Sequence, residues 1–195
     1  MARAWQRMLS GRRLDLLDPS PLDIEIEDIA HGLARVARWN GQTKGDYAFS
    51  VAQHCLLVEA IYAHTNTDAS RSNRLAALLH DAAEYVIGDM ISPFKAALGV
   101  DYKEFELRLM AAIRVRFGLS PREDVELNTN LKKSDQIAAY LEATQLADFS
   151  LDEAEKIFGR PKGLSGQGFN KFLNLQPEPA VAAKLAYMKQ FEALL

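Results

Sequence analysis

The segment LAALLHDAAEYVIGDMISP, from Leu75 to Pro93, is the most informative stretch of the sequence. It is nearly all apolar except for His80, Asp81, Glu84 and, near its end, Asp89. If residues 75–87 form one helix, a rotation of about 100° per residue places Glu84 between His80 and Asp81 on one face. Such a helix, apolar nearly all round, is expected to be buried, and buried carboxylates need a hydrogen bond, an ionic partner or a cation. The segment predicts a buried helix with a compensated polar cluster.

The segment alone leaves two interpretations of the His80-Asp81 pair open. The simpler one is a satisfied polar pair in a core helix, because such dipeptides often arise by chance. The chain also places His54 in an apolar helical run, SVAQHCLLV at 50–58, and Asp135 in KKSDQIAAY at 132–140. Two imidazoles and two carboxylates form a suitable ligand set for a divalent metal ion. The whole set therefore favours a metal site over a purely structural pair.

The order His54, then His80-Asp81, then Asp135 resembles the H…HD…D signature of the HD-domain metal-dependent phosphohydrolases. Over about residues 25–145 the chain is most similar to the bacterial 5'-deoxynucleotidase branch of that family. The further residues that carry the resemblance are Arg38-Trp39, Ser50-Val51, Glu84 in HDAAE, Gly88-Asp89 and Ser92-Pro93.

The resemblance implies an all-α, compact helical HD-domain bundle with the metal site between its helices. His54, His80, Asp81 and Asp135 would bind one divalent ion, of manganese, cobalt, iron, nickel or zinc rather than calcium. The implied reaction is hydrolysis of (deoxy)nucleoside 5'-monophosphates to nucleoside and phosphate. Family members are often dimers, so a homodimer is one assembly that the resemblance suggests.

Four further residues receive roles from the same comparison. Glu84 would be the general base that accepts a proton from the attacking water. Arg38 would contact the phosphate or sugar, Trp39 would form a wall of the nucleoside pocket, and Asp89 would contact the sugar. An arginine suits phosphate because it offers two parallel donors and a permanent charge.

Each role has a structural alternative. Arg38 and Trp39 are also explained by a solvated arginine beside a core tryptophan, and Asp135 by a solvent-facing position next to two lysines. Glu84 could instead orient His54 or His80. At the level of function, the alternatives are an HD hydrolase of another nucleotide, such as a triphosphate, cyclic nucleotide or alarmone, and a nucleotide sensor without turnover.

Composition narrows the class of protein. At 195 residues, 48% hydrophobic content and a formal charge of -3, the chain is expected to form one domain over residues 1–195. Its single cysteine, Cys55, and the absence of a signal-peptide pattern or a membrane-length apolar run predict a cytoplasmic protein. The acidic excess gives no sign of a surface that binds duplex nucleic acid.

Helical periodicity and turn residues predict the remaining layout. Residues 1–24 are expected to be an irregular lead-in, residues 159–179 a flexible glycine-rich loop, and no strand is predicted. His31 and His64 are interpreted as structural histidines. Helices are predicted over 25–38, 49–64, 71–87, 94–98, 101–117, 124–147 and 180–195.

Overall fold

The computed structural model describes residues 4–90, 100–122, 124–162, 170 and 172–195. These residues are mostly helical, which agrees with the predicted all-α class. None of the described helices is both long and apolar enough to cross a membrane. The helices are α1 Ile26–Leu33, α2 Val51–Thr65, α3 Arg71–Leu78, α4 Glu84–Ile87, α5 Val100–Arg116, α6 Val125–Gln145, α7 Leu151–Phe158 and α8 Ala180–Leu194.

Helix α2 is the centre of the bundle. It packs against α3, α6 and α8, and buried side chains occur on nearly all of its faces. Val51, Cys55, Val58 and Ile61 are fully buried. A buried aliphatic side chain of this size contributes about 1.5–3 kcal/mol relative to an exposed one. The position of α2 therefore places most of its residues, His54 included, in the core.

Side-chain caps fix where several helices begin. Ser50 and Gln53 form a reciprocal capping box at the start of α2, and Ser150 does the same with Glu153 at α7. The side chain of Asp124 accepts the Leu127 backbone N–H at the start of α6. Each cap satisfies backbone donors that a helix leaves without partners in its first turn.

The N-terminal segment contains a hairpin instead of the predicted irregular lead-in. Strand β1, Trp5–Arg7, pairs antiparallel with β2, Arg13–Asp15. The backbone N–H and the hydroxyl of Ser10 donate to the Asp28 carboxylate of α1, at 2.9 and 2.5 Å, and Leu14 is fully buried. Strands of three residues are too short to show an alternating pattern, and tertiary contacts with α1 stabilise this hairpin.

The predicted helix over 71–87 is broken. Helix α3 ends at Leu78, turns cover residues 79–83, and α4 begins at Glu84. In a continuous helix the carbonyl of Ala77 would accept the N–H of Asp81. Here the imidazole Nδ1 of His80 donates to that carbonyl at 2.9 Å. The side chain competes with the backbone for this acceptor, and the helix ends there. The prediction of one continuous helix over 71–87, from which the position of Glu84 was inferred, is therefore wrong.

Other boundaries also differ from the prediction. Helix α1 ends at Leu33 rather than at residue 38, and α7 was not predicted at all. The predicted helix over 94–98 lies outside the described residues. Of the glycine-rich loop, residues 172–178 are held in place: the side chain of Gln145 bonds Phe172 and Leu175, and that of Gln53 bonds Gln176 and Glu178.

Candidate metal centre

Three separate parts of the fold bring the four predicted ligands together. His54 lies on α2, His80 and Asp81 lie in the turn after α3, and Asp135 lies on α6. The Nε2 atom of His54 is 3.4 Å from Asp81 Oδ2 and 3.2 Å from Asp135 Oδ1. The Nε2 atom of His80 is 3.1 Å from the same Asp81 oxygen. His54, His80 and Asp81 therefore form a compact group able to hold a metal ion, and Asp135 approaches this group through His54.

Hydrogen bonds on the far side of each ring define the histidine tautomers. His80 Nδ1 must carry a proton, because its partner is the carbonyl oxygen of Ala77, which can only accept. His54 Nδ1 lies 2.5 Å from Glu142 Oε1, so it donates to that carboxylate. In a neutral imidazole the Nε2 lone pair is then free to bind a metal, an arrangement common among metal-ligating histidines.

The two Nε2 atoms fit a cation better than they fit the protein around them. Both are buried, and neither makes a well-directed hydrogen bond to any described residue. Buried polar atoms normally have a partner, since leaving one unsatisfied costs about 1–3 kcal/mol. The neighbouring carboxylate oxygens of Asp81 and Asp135 also offer lone pairs, as an unprotonated Nε2 does. A metal ion would satisfy all of these atoms together.

Electrostatics around the ligands are dominated by carboxylates. Burial and Arg38 both lower the pKa of His54, but Glu142, Asp135 and Asp81 outweigh them and raise that pKa well above its usual value. Burial raises the pKa of the Asp81 carboxyl, yet the two imidazoles hold it well below its usual range. The cluster therefore stabilises positive charge among its carboxylates, as a cation site requires.

Glu142 is a buried carboxylate beside the candidate metal centre that the sequence did not lead us to predict. It is fully buried on α6 and accepts hydrogen bonds from His54 Nδ1, from Trp39 Nε1 at 2.8 Å and from Arg38 Nε at 3.2 Å. The available signal was its spacing, because it follows Asp135 by seven residues, or two helical turns on the same stripe. Glu142 also has buried apolar neighbours in sequence, Leu141 and Ala143, and a carboxylate buried among them needs partners.

Arg38 and Trp39 lie next to the candidate metal ligands on an unusual turn. Trp39, Asn40 and Gly41 have φ values of +56°, +51° and +75°. The left-handed conformation is uncommon for residues other than glycine, and for a bulky side chain it is a true outlier. Arg38 forms an ion pair with Asp89, 3.1 Å from its Nη1 to Asp89 Oδ2, as well as with Glu142.

Trp39 also packs against two aromatic rings. Its ring centroid lies 5.6 Å from that of Phe149 and 5.8 Å from that of Phe158. Phe158 closes α7, so the helix absent from the prediction forms part of the surroundings of Trp39. The three predicted substrate residues, Arg38, Trp39 and Asp89, therefore form one connected group beside the ligands.

Glu84 lies in the wall of a cavity on the other side of His80 and Asp81. The cavity has a volume of about 800 Å³ and includes His80, Asp81 and Glu84 among its lining residues. Glu84 is buried at the start of α4, and its N–H donates to the Asp81 carbonyl at 2.9 Å. Glu84 is not the group that holds the Nδ1 atom of either histidine, since Glu142 and Ala77 fill those positions.

The fold and the cluster define a helical protein with a candidate metal centre between its helices. No protein-family model matches the chain. It is 58% identical over 183 residues, 94% of this chain and 92% of the relative, to the uncharacterized protein RCAP_rcc00048 of Rhodobacter capsulatus, and it belongs to the same family. It is also 34% identical over 131 residues to the uncharacterized protein YfdR of Escherichia coli, covering 67% of this chain and 64% of YfdR.

Proposed function

We propose that the protein is a metal-dependent phosphohydrolase that cleaves (deoxy)nucleoside 5'-monophosphates to nucleoside and phosphate. The observation that carries the proposal is the compact group of two buried imidazoles and Asp81, with Asp135 beside His54 and with a hydrogen-bond acceptor at the Nδ1 atom of each imidazole. The resemblance to the HD-domain hydrolases supplies the reaction class.

His54, His80, Asp81 and Asp135 would hold the metal ion. Mixed imidazole and carboxylate ligands favour manganese, cobalt, iron, nickel or zinc over calcium, which prefers an all-oxygen shell. When bound, such an ion polarises a phosphoryl oxygen and lowers the pKa of a coordinated water. Asp135 supports an open site, because its side chain remains 45% exposed while His54 is fully buried.

Glu84 is the residue we assign as general base. It is buried and lines the cavity that His80 and Asp81 also line. A carboxylate there can accept a proton from the attacking water and later return it to the leaving oxygen. Because other groups already orient both imidazoles, the alternative role of Glu84 in orienting a histidine is less well supported.

Positively charged side chains supply the means to bind an anionic substrate. Arg38 lies on one side of the cluster, within electrostatic reach of Asp81 and Asp135. On the other side, Arg108 and Arg122 line the cavity. A guanidinium group can donate two parallel hydrogen bonds to the oxygens of a phosphate, so these arginines suit a nucleotide. The several arginines also favour, as a second candidate, a nucleotide with more than one phosphate.

The test of the proposed function is phosphate release by purified, metal-loaded protein from a panel of nucleoside mono-, di- and triphosphates. Glu84→Gln should reduce turnover by about 10²–10⁴-fold while bound metal stays near the wild-type level. Glu59→Gln is the matched control, because Glu59 is another buried carboxylate but pairs with Arg74 at 2.7 Å, away from the ligands. Absence of phosphate release from every nucleotide, with metal bound, would leave a nucleotide sensor as the better description.

A further inference from the structure

We infer that Glu142 is a positioning residue that couples metal binding at His54 to the conformation of the Arg38–Gly41 turn. This inference rests on the metal centre of the proposed function and does not depend on hydrolysis.

The two oxygens of Glu142 have different partners. Oε1 accepts from His54 Nδ1, and Oε2 accepts from both Trp39 Nε1 and Arg38 Nε. The carboxylate is fully buried, so no bulk water replaces a partner that is lost. One side chain therefore sets the tautomer of a metal ligand and holds two side chains of the neighbouring turn.

The turn needs such support because its backbone is strained. Trp39 and Asn40 have φ values of +56° and +51°, and left-handed residues other than glycine cost of the order of 1–2 kcal/mol each. Backbone bonds hold its two ends, from Arg38 N–H to Phe49 and from Gln42 N–H to Trp39. The hydrogen bonds from Trp39 and Arg38 to Glu142 attach the turn to a fully buried side chain of α6. A change in the charge that His54 presents to Glu142 therefore reaches the turn through one shared acceptor.

Reciprocity follows from linkage. If metal binding strengthens the bond from His54 to Glu142, it alters the bonds of Trp39 and Arg38 to the same carboxylate. A perturbation of Glu142 must then appear at both places, in metal affinity and in the surroundings of the Trp39 indole.

Glutamine at position 142 separates the two functions of the carboxylate. A glutamine has one oxygen and one NH₂ group, so it can accept on only one side. With the oxygen toward His54, the NH₂ group opposes the N–H groups of Trp39 and Arg38. With the oxygen toward Trp39, the NH₂ group faces His54 Nδ1 and favours the tautomer whose Nε2 carries the proton and cannot bind a metal. Neither orientation preserves both sets of bonds.

The experiment uses Zn²⁺, which does not quench tryptophan by paramagnetism, in a Trp5→Phe background where Trp39 is the sole tryptophan. Zn²⁺ affinity is measured by competition with a chromophoric chelator, and Trp39 is followed by its emission spectrum and iodide quenching. Adding Glu142→Gln should weaken Zn²⁺ binding by about 10–100-fold and shift the Trp39 signal. Glu142→Asp, which keeps both acceptor oxygens, should recover part of both effects.

Two further measurements test the coupling, one on a control variant and one on the protein with Glu142 intact. Glu59→Gln in the same background is a control for the loss of a buried carboxylate, and it should change neither Zn²⁺ affinity nor the Trp39 signal. In the Trp5→Phe protein itself, with Glu142 intact, Zn²⁺ should change the Trp39 signal with the dissociation constant found by competition, so the test does not require a destabilised variant.

The outcomes have distinct meanings. Absence of Zn²⁺ binding to the unaltered protein would overturn the metal centre itself. Normal Zn²⁺ binding by the Glu142→Gln protein, or Zn²⁺ saturation with an unchanged Trp39 signal, would overturn the coupling and leave the metal centre standing. Equal losses of affinity in the Glu142→Gln and Glu59→Gln proteins would also overturn it, because general destabilisation would then explain both.

Discussion

Gly32→Ala should destabilise the protein by disturbing the contact between α1 and α4. A methyl group at position 32 would lie 2.8 Å from Cβ of Tyr85, 3.0 Å from its carbonyl oxygen and 3.1 Å from its Cα. Carbon atoms normally approach to about 3.5–4.0 Å. Tyr85 directly follows Glu84, so the displacement that relieves the overlap moves the proposed general base.

Two opposing terms set the size of the effect. Alanine is favoured over glycine inside a helix by about 1 kcal/mol. Overpacking of a dense core costs about 1–3 kcal/mol, and here the cost is expected at the upper end because backbone atoms and a Cβ cannot rotate away. The expected result is a net loss of about 1–2 kcal/mol.

Urea unfolding followed by circular dichroism measures this loss. With a slope of about 2 kcal/mol per molar urea, the midpoint should fall by about 0.5–1 M. Gly118→Ala is the control, since Gly118 has a φ of +74° and open space around it. This variant should be destabilised by backbone strain, without displacement of Glu84. Turnover should therefore fall in the Gly32→Ala protein well beyond its fall in the Gly118→Ala protein. An unchanged or higher urea midpoint for Gly32→Ala would refute the packing argument.

Two further predictions concern the metal and the sugar. A divalent metal at a hundredfold excess over its Kd should raise Tm by about 5–10 °C, because ligand binding at that level adds about 2.7 kcal/mol. Asp135→Ala should lose most of that rise in a thermal scan, and a full rise would exclude Asp135 as a ligand. Asp89→Asn should change the ratio of kcat/KM values for deoxy- and ribonucleoside monophosphates while bound metal is retained. An unchanged ratio would remove the sugar-contact role of Asp89.

The sequence predicted the ligand cluster better than its surroundings. His54, His80 and Asp81 stand out as polar residues in otherwise apolar runs, whereas Asp135 follows two lysines and is notable only in combination with the other three. The structure places His54 close to both aspartates and His80 close to Asp81. The spacing of Glu142 from Asp135 is a weak signal by itself, because α6 also carries exposed charged residues such as Lys132 and glutamates are common on solvated helix faces.

The errors in secondary structure have a common cause in tertiary contacts. No glycine or proline marks the end of α3, which depends on a side-chain bond from His80 to Ala77. The N-terminal hairpin depends on the bonds from Ser10 to Asp28, which lies eighteen residues away along the chain. Local composition records neither of these interactions.

The imidazole of His54 also has a consequence for how the helices recognise each other. Helix α2 is buried on nearly all sides, so apolar packing alone specifies weakly how far it slides or rotates against α6. His54 meets Asp135 at one edge of its ring and Glu142 at the other, two turns apart on α6. A slip of one turn, about 5.4 Å, would separate Glu142 from His54. Breaking a buried ionic pair costs about 3–5 kcal/mol, so the contact between His54 and Glu142 selects one register between the two helices.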